Sequence, residues 1–293
     1  MRLGVHVSIA GGLGDTLSRA KWLACTTIQI FSRSPRGGPA PKHTPEDLNR
    51  FDAERRAAGI DPLAIHSPYI INLASPEPGM WEQSLRLYQE EYARAGRFCA
   101  QYLVTHVGSH RGRGEAEGIA HVAQALTRTL EGLDSDVMIL LENTAGSGQG
   151  IGDRFEHLAA IRRGVGPRNR VGVCLDTAHL FAAGHPIHTR DGLARVLEAF
   201  DRIVGLGRLK LIHLNDSKVP FDSRVDRHWH IGQGHIGAEA FGRIVTHPAL
   251  RDLPFILETP KSTEQDDHRN LAVVRKLAGS AARGTRRRRA VTV

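Results

Sequence analysis

Eight short apolar runs punctuate the chain: LGVHV (3–7), TIQIF (27–31), LAIH (63–66), YLVTHV (102–107), VMILLE (137–142), VGVCLD (171–176), LKLIHL (209–214) and PFILE (254–258). They are continuous rather than alternating, which fits strands covered on both faces. The polar stretches between them carry helix signals. Thr44 before Pro45, with Gly59 beyond, predicts a capped helix. Leu85, Tyr88 and Tyr92 recur at helical steps within 81–97. Asp153 with Glu156 reads as a capping-box-like start. Leu193, Val196, Leu197 and Phe200 share one face of a helix over 191–200. Strand–helix units repeated eight times predict a single (β/α)8 TIM barrel over residues 1–279. An open doubly wound sheet is the alternative, and the polar residues favour the barrel.

Those polar residues fall at the ends of the runs. His66 ends the third, His106 lies near the end of the fourth, Glu142 ends the fifth and Asp176 the sixth. His213 lies in the seventh and Glu258 ends the eighth. In a barrel, the C-terminal ends of the strands share one rim, where active sites are built. One polar strand end has a bland explanation, since it meets solvent there. Six in succession do not. His179 follows Asp176 by three on the turn DTAH, and Asp226 and His228 follow the seventh run two apart. Residues two apart on an extended segment face the same side. The set is five imidazoles and four carboxylates, a mixture suited to zinc or manganese. Nine ligands exceed one tetrahedral site and fit about three ions sharing a carboxylate. Three divalent cations against four carboxylates leave about +2, a charge that attracts a phosphodiester.

Composition narrows the setting. Hydrophobic content of 41% and charged content of 24% are ordinary for a soluble globular protein. No apolar run approaches a membrane span, and the N-terminus lacks the pattern of a signal peptide. Three scattered cysteines, none in a CxxC pair, predict a reduced, cytoplasmic chain. The net charge of +8 includes Arg283 and Arg286 to Arg289, leaving +3 for the rest. Residues 280–293 therefore read as a basic tail, either a solvated, disordered end or a loose hold on nucleic acid. Gly232, Gly234 and Gly237 spell GxGxxG, but no apolar strand precedes them, so no nucleotide cofactor is expected.

The stretches GVHVSIAGGL, IHSPYIINLASP, LVTHVGSH, LLENTAGSGQGIG, GVCLDTAHLFAAGH, KLIHLNDSK, DRHWHIGQGHIG and FILETP together span nearly the whole chain. In them the chain resembles the endonuclease IV family of apurinic/apyrimidinic (AP) endonucleases, AP endonuclease family 2. The resemblance implies a trinuclear zinc site, with Mn2+ as a substitute metal. One ion would take His66, His106 and Glu142. A second would share Glu142 and add Asp176, His213 and Glu258. A third would take His179, Asp226 and His228. The implied activity is hydrolysis of duplex DNA on the 5′ side of an abasic site, leaving a 3′-hydroxyl and a 5′-deoxyribose phosphate, with clearing of blocked 3′ ends. Glu142 would be the catalytic ligand that positions the attacking hydroxide, and the third ion would offset charge on the departing oxygen, so no side-chain acid is needed.

The resemblance further implies that Tyr69 and Ile70 enter the minor groove where the base is missing and unstacking costs least. Arg33, Arg36 and Lys42 in the second loop, and Lys218, are candidate phosphate contacts. Gly37–Gly38 depart from the family's pattern of a bulky residue after the arginine. His6 borders the site as a candidate contact to phosphate or water. A monomer is expected, because one barrel mouth holds one bent duplex. Two rivals stand beside this reading. A sugar isomerase or epimerase of the same barrel type would need only Glu142, Asp176, His213 and Glu258. A non-catalytic DNA-binding protein would depend on the basic tail.

Overall fold

The structure, a computed structural model, describes residues 1–289 except Gly37, Pro167 and Glu264; the side chains of Arg168 and of 281–289 also lie outside the described set. Each apolar run forms a strand: β1 (Arg2–Val5), β2 (Ile28–Phe31), β3 (Leu63–His66), β4 (Tyr102–His106), β5 (Met138–Glu142), β6 (Val171–Asp176) and β7 (Leu209–His213). A two-stranded ribbon follows, β8 (Asp216–Ser217) with β9 (His228–Trp229), before β10 (Pro254–Leu257). The helices are α1 (Leu13–Trp22), α2 (Pro45–Ala57), α3 (Pro78–Arg97), α4 (Glu115–Gly132), α5 (Phe155–Gly164), α6 (Thr177–Ala182), α7 (Arg190–Ile203), α8 (Ala238–Thr246) and α9 (Gln265–Arg289).

The eight long strands are parallel, in the order β1-β10-β7-β6-β5-β4-β3-β2. The sheet closes on itself between β1 and β2 through a bridge from His6 to Gln29 and a bond from Val7 N to Gln29 O at 2.7 Å. The result is a single TIM-type (β/α)8 barrel. Among the described residues, no helix is long and apolar enough to cross a membrane.

Strand parity positions the site. One layer inside the barrel is Ala64, Val104, Leu140, Cys174, Leu211 and Ile256. The intervening residues, such as Ile65, Leu103, Leu141 and Phe255, join the larger core that includes the helices' apolar faces. Strand side chains alternate, so the position two beyond each inner apolar residue also points inward, one layer higher. Those six positions are His66, His106, Glu142, Asp176, His213 and Glu258. The register places His106 beside Glu142 and Asp176 beside His213.

Three helix starts, those of α2, α6 and α7, carry a side-chain cap. Thr44 and Asp47 form a capping box on α2, and Thr189 caps α7 by accepting from Gly192 N at 3.0 Å. Two expectations need correction. Asp153 does not cap α5, whose N-cap is Arg154 without a side-chain bond; the Asp153 carboxylate faces His157 and Arg224 instead. The DTAH segment is a helix start rather than a turn: Asp176 caps α6 by accepting from His179 N at 2.9 Å. That cap is why the two residues are three apart, since an N-cap side chain bonds the amide three positions on. The backbone of α9 runs helical to Arg289, so the expected boundary at 279/280 falls inside a helix. The side chains of 281–289 and residues 290–293 lie outside the described residues.

Candidate metal centre

Eight of the nine expected ligands gather at the barrel mouth in three groups. These are His66, His106 and Glu142; then Glu142, Asp176, His213 and Glu258; then Asp176, His179 and His228. Within each group the donor atoms lie within 4.8 Å of one another. Glu142 belongs to the first two groups and Asp176 to the last two, so carboxylates link all three. The ninth, Asp226, flanks the third group, 3.2 Å from His179 Nε2 and 3.4 Å from His228 Nε2.

The imidazoles are aimed by their outer nitrogens. His66 Nδ1 meets Ser67 O at 2.8 Å, His179 Nδ1 meets Asn143 O at 2.9 Å, and His228 Nδ1 meets Glu258 O at 3.1 Å. His213 Nε2 meets Gln29 Oε1 at 2.8 Å. A carbonyl acceptor requires an N–H at that nitrogen, which leaves the inner nitrogen of a neutral ring with its lone pair toward the centre. The inner nitrogens of His179 and His228 are buried and make no hydrogen bond, despite the nearness of Asp226. Six other buried side-chain atoms among the described residues also lack a partner, and what sets these two apart is that both face shared carboxylates. Two orphaned lone pairs beside shared carboxylates are the donor set that a zinc-like cation fits.

Electrostatics give the same picture. Burial raises the Glu142 carboxyl, but His213 and His106 outweigh it and hold it well below the usual range. Burial likewise opposes ionisation of Glu258, and His213 again reverses the balance. Burial disfavours a proton on His179, yet Asp176 and Asp226 hold it well above the ordinary imidazole value; His213 is likewise held well above it against burial, by Cys174 first and then by Glu258 and Glu142. The carboxylates thus demand compensating positive charge, which protons supply when no cation does. Beneath them, burial pushes the Cys174 thiol up to about 12. Burial also pushes His6 down to about 4, and its ring packs on Phe31 with Nδ1 3.1 Å from Glu258.

Three supporting residues escaped the sequence reading. Gln29 joins His213 to Glu258, donating to Glu258 Oε1 at 2.6 Å. Asn143 accepts from Asp176 N at 2.7 Å. Asn215 donates to Asp176 Oδ2 at 2.7 Å and accepts from Glu258 N at 2.7 Å. The available signals were a lone glutamine inside an apolar strand and asparagines directly after a ligand or a ligand-bearing strand.

Of the expected DNA contacts, Tyr69 (62% exposed) and Ile70 (49%) project from the mouth. Tyr69 lines both flanking clefts: one of about 750 Å³ that reaches Glu258 and His228, and one of about 440 Å³ that reaches His106, His179 and Asp226. Arg36 and Lys42 are exposed, as is Lys218, whose ammonium sits 4.2 Å from the centre of the Trp229 ring. Arg33 differs from expectation. It is buried, with Nε paired to the fully buried Glu91 and Nη2 2.8 Å from Glu90. Its charge is consumed inside the protein. The Gly37 half of the Gly37–Gly38 expectation lies outside the described residues. The GxGxxG turn wraps the buried Asp216 carboxylate, which accepts from the amides of Gly232, Gly234 and Ile236.

A family model described as "Xylose isomerase-like TIM barrel" matches residues 17–278. The chain is 44% identical over 282 residues to a protein of Chloroflexus aurantiacus named "Probable endonuclease 4", covering 96% of this chain and 99% of that one. It is similar to the crystal structure of endonuclease IV from Thermus thermophilus, with a TM-score of 0.84 and 38% identity over 96% of this chain and 100% of that one. A D-tagatose 3-epimerase-like protein shares the fold at a TM-score of 0.74 and 18% identity, over 97% and 100% of the two chains. With a matched barrel and relatives of this identity along nearly its whole length, the chain belongs to the endonuclease IV family.

Proposed function

We propose that this protein is a zinc-dependent AP endonuclease. It would hydrolyse the phosphodiester 5′ to an abasic site in duplex DNA, leaving a 3′-hydroxyl and a 5′-deoxyribose phosphate, and would clear blocked 3′ ends. The observation that carries the reading is the pair of shared carboxylates, Glu142 and Asp176, linking three ligand groups on one rim. His66, His106 and Glu142 would hold one ion, and Glu142, Asp176, His213 and Glu258 a second. His179 and His228, with Asp226 and Asp176 beside them, would hold the third, and Mn2+ would substitute for Zn2+. When bound, zinc supplies Lewis acidity that lowers the pKa of water and offsets charge on phosphoryl and leaving oxygens.

The chain's own part is to hold and to exclude. Glu142 contributes one oxygen toward His66 and His106 and the other toward His213, so its carboxylate sets the spacing of two groups. Tyr69 and Ile70, exposed at the mouth, would insert as a wedge into the gap left by a missing base. Arg36 and Lys218 would neutralise phosphates on either side. The barrel domain of residues 1–279 would act as a monomer in the cytoplasm, with the basic tail as an accessory.

The test is incubation with a duplex carrying one abasic analogue, with and without chelator, followed by end-group analysis and metal counting. Chelator-sensitive incision 5′ to the lesion with about three zinc per chain is expected. About one metal per chain, no incision and turnover of a ketose would instead favour the sugar epimerase reading.

A further inference from the structure

We propose that Arg224 is a positioning residue: it seats the segment between β8 and β9 so that Asp226 and His228 face His179. This rests on the three-ion reading above. β8 and β9 pair over only two residues each, so the ribbon alone does not hold the segment's middle. Other contacts pin it. Arg224 Nη1 lies 3.2 Å from Asp153 Oδ2, in the loop that follows Glu142. Arg224 Nε donates to Asp222 Oδ1 at 2.9 Å. The backbone amides of Asp222 and Arg224 donate to Phe181 O at 3.2 Å and Ala182 O at 3.0 Å, both on α6, the helix that carries His179. Phe221 packs edge-on against Phe181, with ring centres 5.4 Å apart.

Two glycines at positive φ, Gly146 (78°) and Gly184 (86°), lie against this segment. A side chain on Gly146 would come within 2.9 Å of Arg224 Nη1, and one on Gly184 within 2.8 Å of Asp222 Oδ1. Asp222 and Arg224 both sit at a φ of 59°, in the left-handed region that side chains adopt rarely and that persists where surroundings enforce it. Arg224 and Asp222 are about half exposed, and exposed ion pairs add little to global stability. Their effect is local, on where Asp226 and His228 end up. Positioning and stability can therefore be separated by measurement.

Zinc titration against a competing indicator, on the wild type, Arg224→Gln and Asp153→Asn, tests this. Thermal unfolding in chelator runs alongside. In Arg224→Gln one zinc equivalent should weaken about 10–100-fold, the usual effect of losing a residue that orients a ligand. The other two equivalents and the metal-free melting temperature should not change. Incision should fall at limiting zinc and recover as free zinc is raised, which a misfolded protein would not do. Asp153→Asn should show the same pattern, and the double variant should be no worse than Arg224→Gln, as a shared interaction requires. Three unaltered zinc affinities in Arg224→Gln, or uniform weakening of all three, would overturn the positioning role alone. A wild type that binds fewer than three ions would overturn the functional reading together with it.

Discussion

Gln29 on β2 accepts from His213 Nε2 on β7 at 2.8 Å, spanning the barrel mouth, while its amide nitrogen donates to Glu258 Oε1 at 2.6 Å. One side chain thus fixes the ring orientation of one ligand and the carboxylate of another.

Replacing Gln29 with leucine is expected to weaken zinc binding about 10–100-fold, because His213 and Glu258 lose their outer partner. It should also cost about 1–3 kcal/mol of stability, since buried polar groups are left unpaired. Competition titration and urea unfolding in chelator read the two effects separately. Unchanged zinc affinity would remove Gln29 from the centre.

Glu142→Gln keeps the size of the side chain and loses the charge shared by two groups. Incision should drop by several orders of magnitude while duplex binding stays within a few-fold, measured by single-turnover cleavage and fluorescence anisotropy. Near-normal incision would contradict the role given to Glu142.

The metal-free protein should lose stability as pH rises. His179 and His213 have folded values well above the ordinary imidazole value of about 6.5. Their stabilising contribution is complete below that unfolded value and is lost as pH climbs through the folded values. The depressed Glu142 and Glu258 carboxyls act oppositely, contributing above about pH 4.5 and failing only on acidification. Melting temperatures of chelator-treated protein should therefore fall on the alkaline side of neutrality. Zinc should suppress that fall and release protons as it binds. A flat alkaline profile without metal would refute the assignment of charge.

Arg33 and Arg36 should part company. Arg33→Met strands the buried Glu91 carboxylate and should destabilise the protein by about 3–5 kcal/mol. Arg36→Ala should leave stability alone and weaken duplex binding with a shallower salt dependence. Denaturant melts and binding at several salt concentrations distinguish them, and equal effects on DNA affinity at unchanged stability would reinstate Arg33 as a phosphate contact.

Truncation after Gly279 keeps the buried anchors Leu271 and Val274 of α9. The shortened protein should still cut abasic duplex, with its log–log salt slope reduced by about 0.9 for each phosphate that the tail no longer neutralises. Complete loss of cutting by a folded truncated protein would favour the rival in which the basic tail is the functional part.

Local sequence carried the strands, the barrel and the candidate ligands, because an apolar run that stops at a histidine or carboxylate marks a strand end, and parallel strand ends share a rim. It carried the N-cap of α2 for the same local reason. Only closure of the barrel decided that Gln29 meets His213, 184 positions away, and that Asp176 serves two groups while Asp226 stands beside one. It also decided that Arg33 spends its charge on Glu91 and that Asp153 grips Arg224 rather than capping α5. A residue's own neighbours set its backbone and the direction it faces. Which distant partner claims its polar atoms depends on packing, and that exists only once the eighth strand returns to the first.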